Sequence, residues 1–479
     1  MEQTGFRKSL NLIDSTAIVA GSMIGSGIFI VSAEMSRNLG SPGWLLVAWA
    51  ITGVMTIAAA LSYGELASMM PKAGGQYVYL REAFNPLSGF LYGWTFFLVI
   101  QTGTIAAVGM AFAKFFGVLV PWFSEKNILL DLRIVKVSAV HVLAIGSILI
   151  LTCNNLLGIR NGKWVQNIFT VLKAVLLLAF ILLGLFVVRN TAAIQANASF
   201  FWKPQSATGE ALSGWALIAA IGVAMVGSLF SSDAWNNITF AAGEVKNPKR
   251  NIPVSLALGV IIVTVLYLLA NFAYLNALPL RGNSGGQSVS DLGMQYAVND
   301  RLGSAMIYAL FGPLASILMA GFVVISTFGC NNGLILSGAR VYYAMANDKL
   351  FFRQTGELNR FGVPGKALVI QAVWASLLCL SGTYSNLLDY VVFAVLIFYV
   401  LTIAGIFRLR KTKPDAERPY KAFGYPVVPV IYMASAILIM MILLIYRPVY
   451  TWPGLLIVLT GIPVYFLWRK FSPAFENCG

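Results

Sequence analysis

Gly21-Ser22-Met23-Ile24-Gly25-Ser26-Gly27-Ile28-Phe29 and, much later, Gly227-Ser228-Leu229-Phe230-Ser231-Ser232-Asp233-Ala234-Trp235 decide the fold of this chain. Each interrupts an apolar segment otherwise long enough to cross a bilayer, which takes about 20 residues. Close helix packing through small residues accounts for one such segment. Two at matching positions, the second carrying an acid, are read as unwound helices. Paired interrupted helices in corresponding halves point to the binding site of a secondary transporter.

Working outward from these breaks, the apolar pattern predicts twelve helices, at 12–38, 43–70, 88–120, 137–158, 164–188, 211–242, 254–278, 312–346, 366–383, 386–409, 426–446 and 452–470. The breaks fall in the first and the sixth. That is the correspondence expected if 12–188 and 211–409 are two five-helix repeats, with helices 11 and 12 (426–470) added. Five is odd, so the repeats enter the membrane with opposite topology. The chain, 1–479, reads as a single polytopic all-α membrane domain. The segment Pro71 to Pro86 is too polar to span and is expected to be a re-entrant loop or an interfacial helix, and 279–303 an outer loop.

Composition agrees with this class. Of 479 residues 58% are hydrophobic and only 11% charged, against about a quarter in soluble domains. The net charge of +15 raises the question of nucleic acid, but placement answers it. Of the 33 Lys and Arg, 22 fall in one alternate set of loops (from Arg7 and Lys8 to Arg469 and Lys470) and nine in the other. This asymmetry is the positive-inside bias and predicts cytoplasmic termini, a cell-membrane location and contact with anionic lipid, with no nucleic-acid partner. No cleavable signal peptide is expected after Arg7 and Lys8. Cys153, Cys330 and Cys379 lie in apolar spans and Cys478 in the tail, without metal spacing. His141, the single histidine, is read as a packing residue near the outer interface. No nucleophile–base pair, metal cluster or cofactor motif is visible, so an enzyme is not expected.

The chemistry concentrates in three places. Unwinding at Gly25-Ser26-Gly27 leaves amides at the start of an outer half-helix without intrahelical partners and at the positive end of its dipole, suited to a carboxylate. Carbonyls ending the inner half-helix and its counterpart in helix 6 can accept from an ammonium. Met23, Ile24, Gly25, Ser26, Gly27, Phe230, Ser231, Asp233 and Asn236 are therefore the candidate site. Lys173 lies roughly 15 Å from Lys163 and roughly 24 Å from Arg189 at 1.5 Å per residue. Its charge should face a polar cavity or carbonyls, including the 326–330 region with Ser326; a stray interfacial lysine is the alternative. Asp233 can meet the substrate ammonium, hold a cationic side chain, carry a proton, or cap the restarting helix.

Ser22 to Phe29 resembles the helix 1 glycine signature of the amino acid–polyamine–organocation superfamily, and specifically that of the L-type amino acid transporter family. Tyr63-Gly64-Glu65-Leu66, Lys72 to Tyr77, Val165-Gln166, Gly243 to Pro253, Ser337 to Tyr342, Lys413 to Pro419 and Gly461 to Tyr465 follow in family order. The resemblance implies a LeuT-type fold and sodium-independent alternating-access transport of amino acids, often as exchange. It implies that Ser26 and Gly27 hold the carboxylate and that the carbonyls of Met23, Phe230 and Asp233 receive the ammonium. It makes Phe230 the outer gate, Lys173 the lysine standing in for sodium, and Tyr267 a link to the unwound segments. Phe393, Ala394, Val395 and Leu396 would form the distal pocket.

The sequence departs from the family in two respects. Residues 121–136 lack the cysteine of members bound to heavy chains, so no disulfide-linked heavy chain is expected. Asp233 stands where many members have glycine, which favours cationic substrates, whereas the apolar 393–396 wall favours neutral ones. The expectation is a neutral L-amino acid exchanger. A cationic amino acid or polyamine permease is the alternative, and a channel or nutrient sensor the reading from another class.

Overall fold

The computed structural model describes residues 8–131, 136–380 and 384–471; Arg7, Cys478 and the 381–383 end of the expected ninth helix lie outside them. The spans follow the expected order. The first is split into Leu12–Met23, a 3-10 turn Gly27–Phe29 and an outer half Val31–Leu39. The second is Pro42–Met69, the third Pro86–Leu119, the fourth Ala139–Leu156 and the fifth Ile159–Leu182 with a π-helical extension. The sixth, Gly214–Ser231, restarts at Asn237–Phe240, and the seventh is Pro248–Ala277. Leu314–Asn347, Gly365–Cys379, Tyr384–Thr412, Val427–Tyr446 and Pro448–Phe471 complete the twelve.

Eleven helices among the described residues are long and apolar enough to cross a membrane. The ninth span, with 15 residues, is about 22 Å long and shorter than a hydrocarbon core of about 30 Å. Proline begins the second, third and seventh spans, where its missing N–H costs no helical bond. His141 closes a capping box with Ser138 at the head of the fourth span, a more specific role than packing. Three elements between the spans were not foreseen: an antiparallel strand pair of Ile128–Asp131 with Lys136–Ser138, and the helices Thr191–Ser199 and Leu302–Phe311. They are too short or too polar to carry a spanning pattern.

The polar stretch after Pro71 folds back against the protein. Gly74 and Gly75 take left-handed backbone (φ 100° and 42°), which glycine adopts at little cost, and the Gly74 N–H donates to Phe240 O at 3.0 Å. The helix Gln76–Ala83 follows with Gln76 to Leu80 buried, so it is inserted into the protein. It seats Gln76 against the restarted sixth span.

On the basic face, sequence motifs far apart in the chain prove to be partners. Glu65 accepts from Arg410 at 3.0 and 2.6 Å and from the Ala422 N–H at 2.7 Å, with Arg418 3.4 Å away. Glu244 pairs with Arg340, both buried. Lys163 reaches Asp14 at 2.7 Å. The N–H groups of Ser9 and Leu10 donate to Glu244 O, and the Lys246 N–H to Leu10 O, so the chain start runs alongside Val245. Breaking a buried pair from one side is strongly destabilising, because the other charge is left uncompensated. Glu65→Ala should therefore cost about 3 kcal/mol, the low end of that range because Arg410 is partly exposed. Thermal unfolding of the purified protein measures it, and an unchanged melting temperature contradicts the anchoring role.

Candidate functional site

The inner half of the first span ends at Met23, with Ile24 extended (ψ 97°). Every carbonyl from Gly21 to Gly25 then receives a side-chain donor. Lys173 Nζ donates to Gly21 O and, at 2.8 Å, to Ile24 O. Cys330 Sγ reaches Ser22 O at 3.0 Å and Tyr267 Oη reaches Met23 O at 3.0 Å. Ser326 Oγ lies 3.2 Å from both Ile24 O and Gly25 O. Unwinding strips these carbonyls of helical partners, and buried ones must be re-satisfied; the fifth, seventh and eighth spans supply the donors. The amides are treated differently. Those of Gly25 and Gly27 donate to no partner among the described residues. The segment thus presents a carbonyl side that is occupied and an amide side that is available to an anion.

Lys173 is fully buried, which rules out the interfacial reading, and it bonds to two carbonyls of the break. Tyr267 bonds to both breaks, since its hydroxyl also lies 3.3 Å from Ser231 O. Ser231 in turn packs directly on Gly27.

The sixth span stops at Ser231, and the chain turns through Ala234 at φ 65°. Left-handed backbone costs an alanine on the order of 1–2 kcal/mol. Trp235, 2% exposed and packed on Tyr63 and Tyr399, holds the turn in place. Phe230 is half-buried, and its carbonyl accepts the Asp233 N–H at 3.1 Å. The Met23 carbonyl accepts from Tyr267 and the Phe230 carbonyl from the main chain of the turn. Asn236, not Asp233, occupies the cap of the restarted helix, so the capping reading of Asp233 is not realised. Its carboxylate instead accepts from Tyr399 Oη at 2.6 Å. Asn236 donates to Gln76 Oε1 at 3.0 Å, and Gln76 donates to Thr402 at 3.1 Å.

Two small cavities flank this turn and share Asp233, Val395 and Tyr399. One is lined with polar groups of Gln76, Gln101, Thr104 and Asn236 beside a π-helical turn, Phe96–Ile100, of the third span. The other is more apolar, with Met55, Leu229, Val392 and Leu396. Phe393 is a correction: it is buried but lines neither cavity, because Val392, Val395, Leu396 and Tyr399 make up the face of the tenth span turned toward Asp233. Helical spacing predicts that Tyr399 shares a face with Val395. Gln101 and Thr104 were legible as polar residues inside an apolar span, and Gln76 as the residue following paired glycines. The wall around Asp233 is consequently less apolar than residues 393–396 imply.

The profile of the family described as amino acid permease matches residues 10–467. Human b(0,+)-type amino acid transporter 1 is 30% identical over 98% of this chain and 89% of its own length. The serine/threonine exchanger SteT of Bacillus subtilis is 28% identical over 98% of both chains. Human large neutral amino acids transporter small subunit 2 is 30% identical over 98% of this chain and 83% of its own.

Proposed function

Since this chain belongs to the amino acid permease family, and within it to the L-type amino acid transporters, we propose that it is a sodium-independent exchanger of neutral L-amino acids working by alternating access. One observation carries the reading: at the first break the carbonyls are engaged by side chains while the amides of Gly25 and Gly27 are not. That asymmetry suits the carboxylate of an α-amino acid. The ammonium would then meet the carbonyls that end the two inner half-helices, Met23 and Phe230, and the carboxylate of Asp233. The names of the serine/threonine exchanger and the large neutral amino acid transporter support exchange and a neutral side chain. The paired breaks support the division into inverted repeats at 12–188 and 211–409, and the basic loops support cytoplasmic termini in the cell membrane. Competition tests the carboxylate site: decarboxylated analogues should displace labelled substrate far less well than their parent amino acids. Equal competition would favour a polyamine substrate.

A cationic side chain is a second reading, favoured by the polar wall of Gln76, Gln101 and Thr104 facing Asp233. Asp233→Asn separates the two. If the carboxylate meets the α-ammonium, alanine and arginine should both weaken by about tenfold, the value of one charge-assisted hydrogen bond. A loss confined to arginine would establish the cationic reading instead. Affinities of wild type and variant for both amino acids decide it.

A further inference from the structure

A cavity whose lining shares no residue with the two beside Asp233 lies on the side opposite the basic face, beside the short helix Leu302–Phe311. Arg301, Ser304, Tyr308 and Ser316 line it together with apolar Leu292 and Val298. The Arg301 guanidinium makes no ion pair among the described residues and rests over the Phe115 ring, 5.2 Å from its centre. The neighbouring acid, Asp300, is held at 2.7 Å by Arg37. Ser304 is 8% exposed, and its hydroxyl lines the cavity without a protein partner among the described residues. It stands in the first turn of a ten-residue helix, where backbone N–H groups also lack acceptors.

The lining therefore offers a fixed cation, hydroxyls and helix-terminal amides, but no carboxylate. Such a set fits an oxyanion and gives the ammonium of an amino acid nothing to meet. The surroundings identify the rest of the ligand. Val298 and Tyr308 are exposed, and Phe311, Leu314, Ile317 and Leu318 continue an exposed apolar strip from the cavity along the start of the eighth span. Membrane proteins present such strips to acyl chains, and basic pockets at the interface take lipid head groups.

We propose that this cavity binds an anionic phospholipid of the leaflet opposite the basic face, its phosphate on Arg301 and the helix N-terminus and an acyl chain along Leu314, Ile317 and Leu318. The site is independent of the transport reading.

Native mass spectrometry of the full chain, titrated with phosphatidylglycerol, phosphatidylcholine or inorganic phosphate, tests it. Phosphatidylglycerol should bind, phosphatidylcholine more weakly, and Arg301→Ala should lower phosphatidylglycerol affinity by about tenfold, the value of one charged hydrogen bond. Ser304→Leu, which fills the cavity and keeps the charge, should lower it as well and reads the same site if Arg301→Ala does not fold. Phosphatidylglycerol affinity unchanged in the folded variants overturns the proposal. Displacement of the lipid by an equal concentration of inorganic phosphate overturns it too, leaving a soluble-anion site.

Discussion

Gly27→Val should abolish measurable substrate binding while the protein still inserts and purifies. A Cβ at position 27 would meet Ser231 Oγ, lie 2.8 Å from Ser231 Cβ and 3.2 Å from its Cα, and real side chains do not approach so closely. The two broken helices are pressed together there, so the added atoms must push Ser231 away or fill the space in front of the amides. Overpacking of a tight contact costs about 1–3 kcal/mol. At the upper end of that range, where the three carbons of valine place it, this amounts to a loss of about 100-fold in affinity. The cause is separable from loss of the amide itself, because the backbone N–H remains. Gly27→Ala, with its single methyl, should lose about tenfold, and adding Ser231→Gly should recover part of that loss. Equilibrium binding of a labelled amino acid to the purified proteins measures all three. Wild-type affinity in Gly27→Val would place the carboxylate elsewhere.

Lys173→Ala should slow translocation by at least about tenfold and impair binding much less. The ammonium bonds to Gly21 O and Ile24 O, tying the fifth span to the unwound segment. Its removal leaves Gly21 O without that donor in a buried setting, where an unsatisfied polar group costs about 1–3 kcal/mol. Ile24 O keeps Ser326, so the substrate-facing amides should stay close to their places. The cost falls on holding the break during the conformational cycle. Because this ammonium already engages two carbonyls of the break, the proposed sodium independence predicts that uptake by the intact protein should be unchanged when sodium is replaced by choline. Initial rates in proteoliposomes, with and without sodium, measure both effects. A steep sodium dependence would remove Lys173 from this role.

The sequence made the two breaks legible, because glycine and serine runs and an acid are conspicuous inside apolar spans. The same contrast made Lys173 legible at a depth no lysine stem can escape. What it could not show was direction. Residues 393–396 locate part of the cavity wall beside Asp233, yet only the helical phase of the tenth span reveals that Phe393 turns away and Tyr399 turns in. Likewise Asp233 was visible as a costly carboxylate, but its partner Tyr399 lies 166 residues away. Short elements such as Leu302–Phe311 were missed for a different reason: they neither span the membrane nor bury a face large enough to leave a periodic trace.

The pairing of Ser9 and Leu10 with Glu244 and Lys246 bears on how the protein can be instrumented. Ser9 and Leu10 are stitched by main-chain bonds to the segment following the sixth span. A compact fluorophore at Lys8 would sit beside that seam, and quenching against a label near Lys246 would show whether the seam opens during the cycle. A bulky group at Lys8 would load the seam directly, so a label there must stay compact.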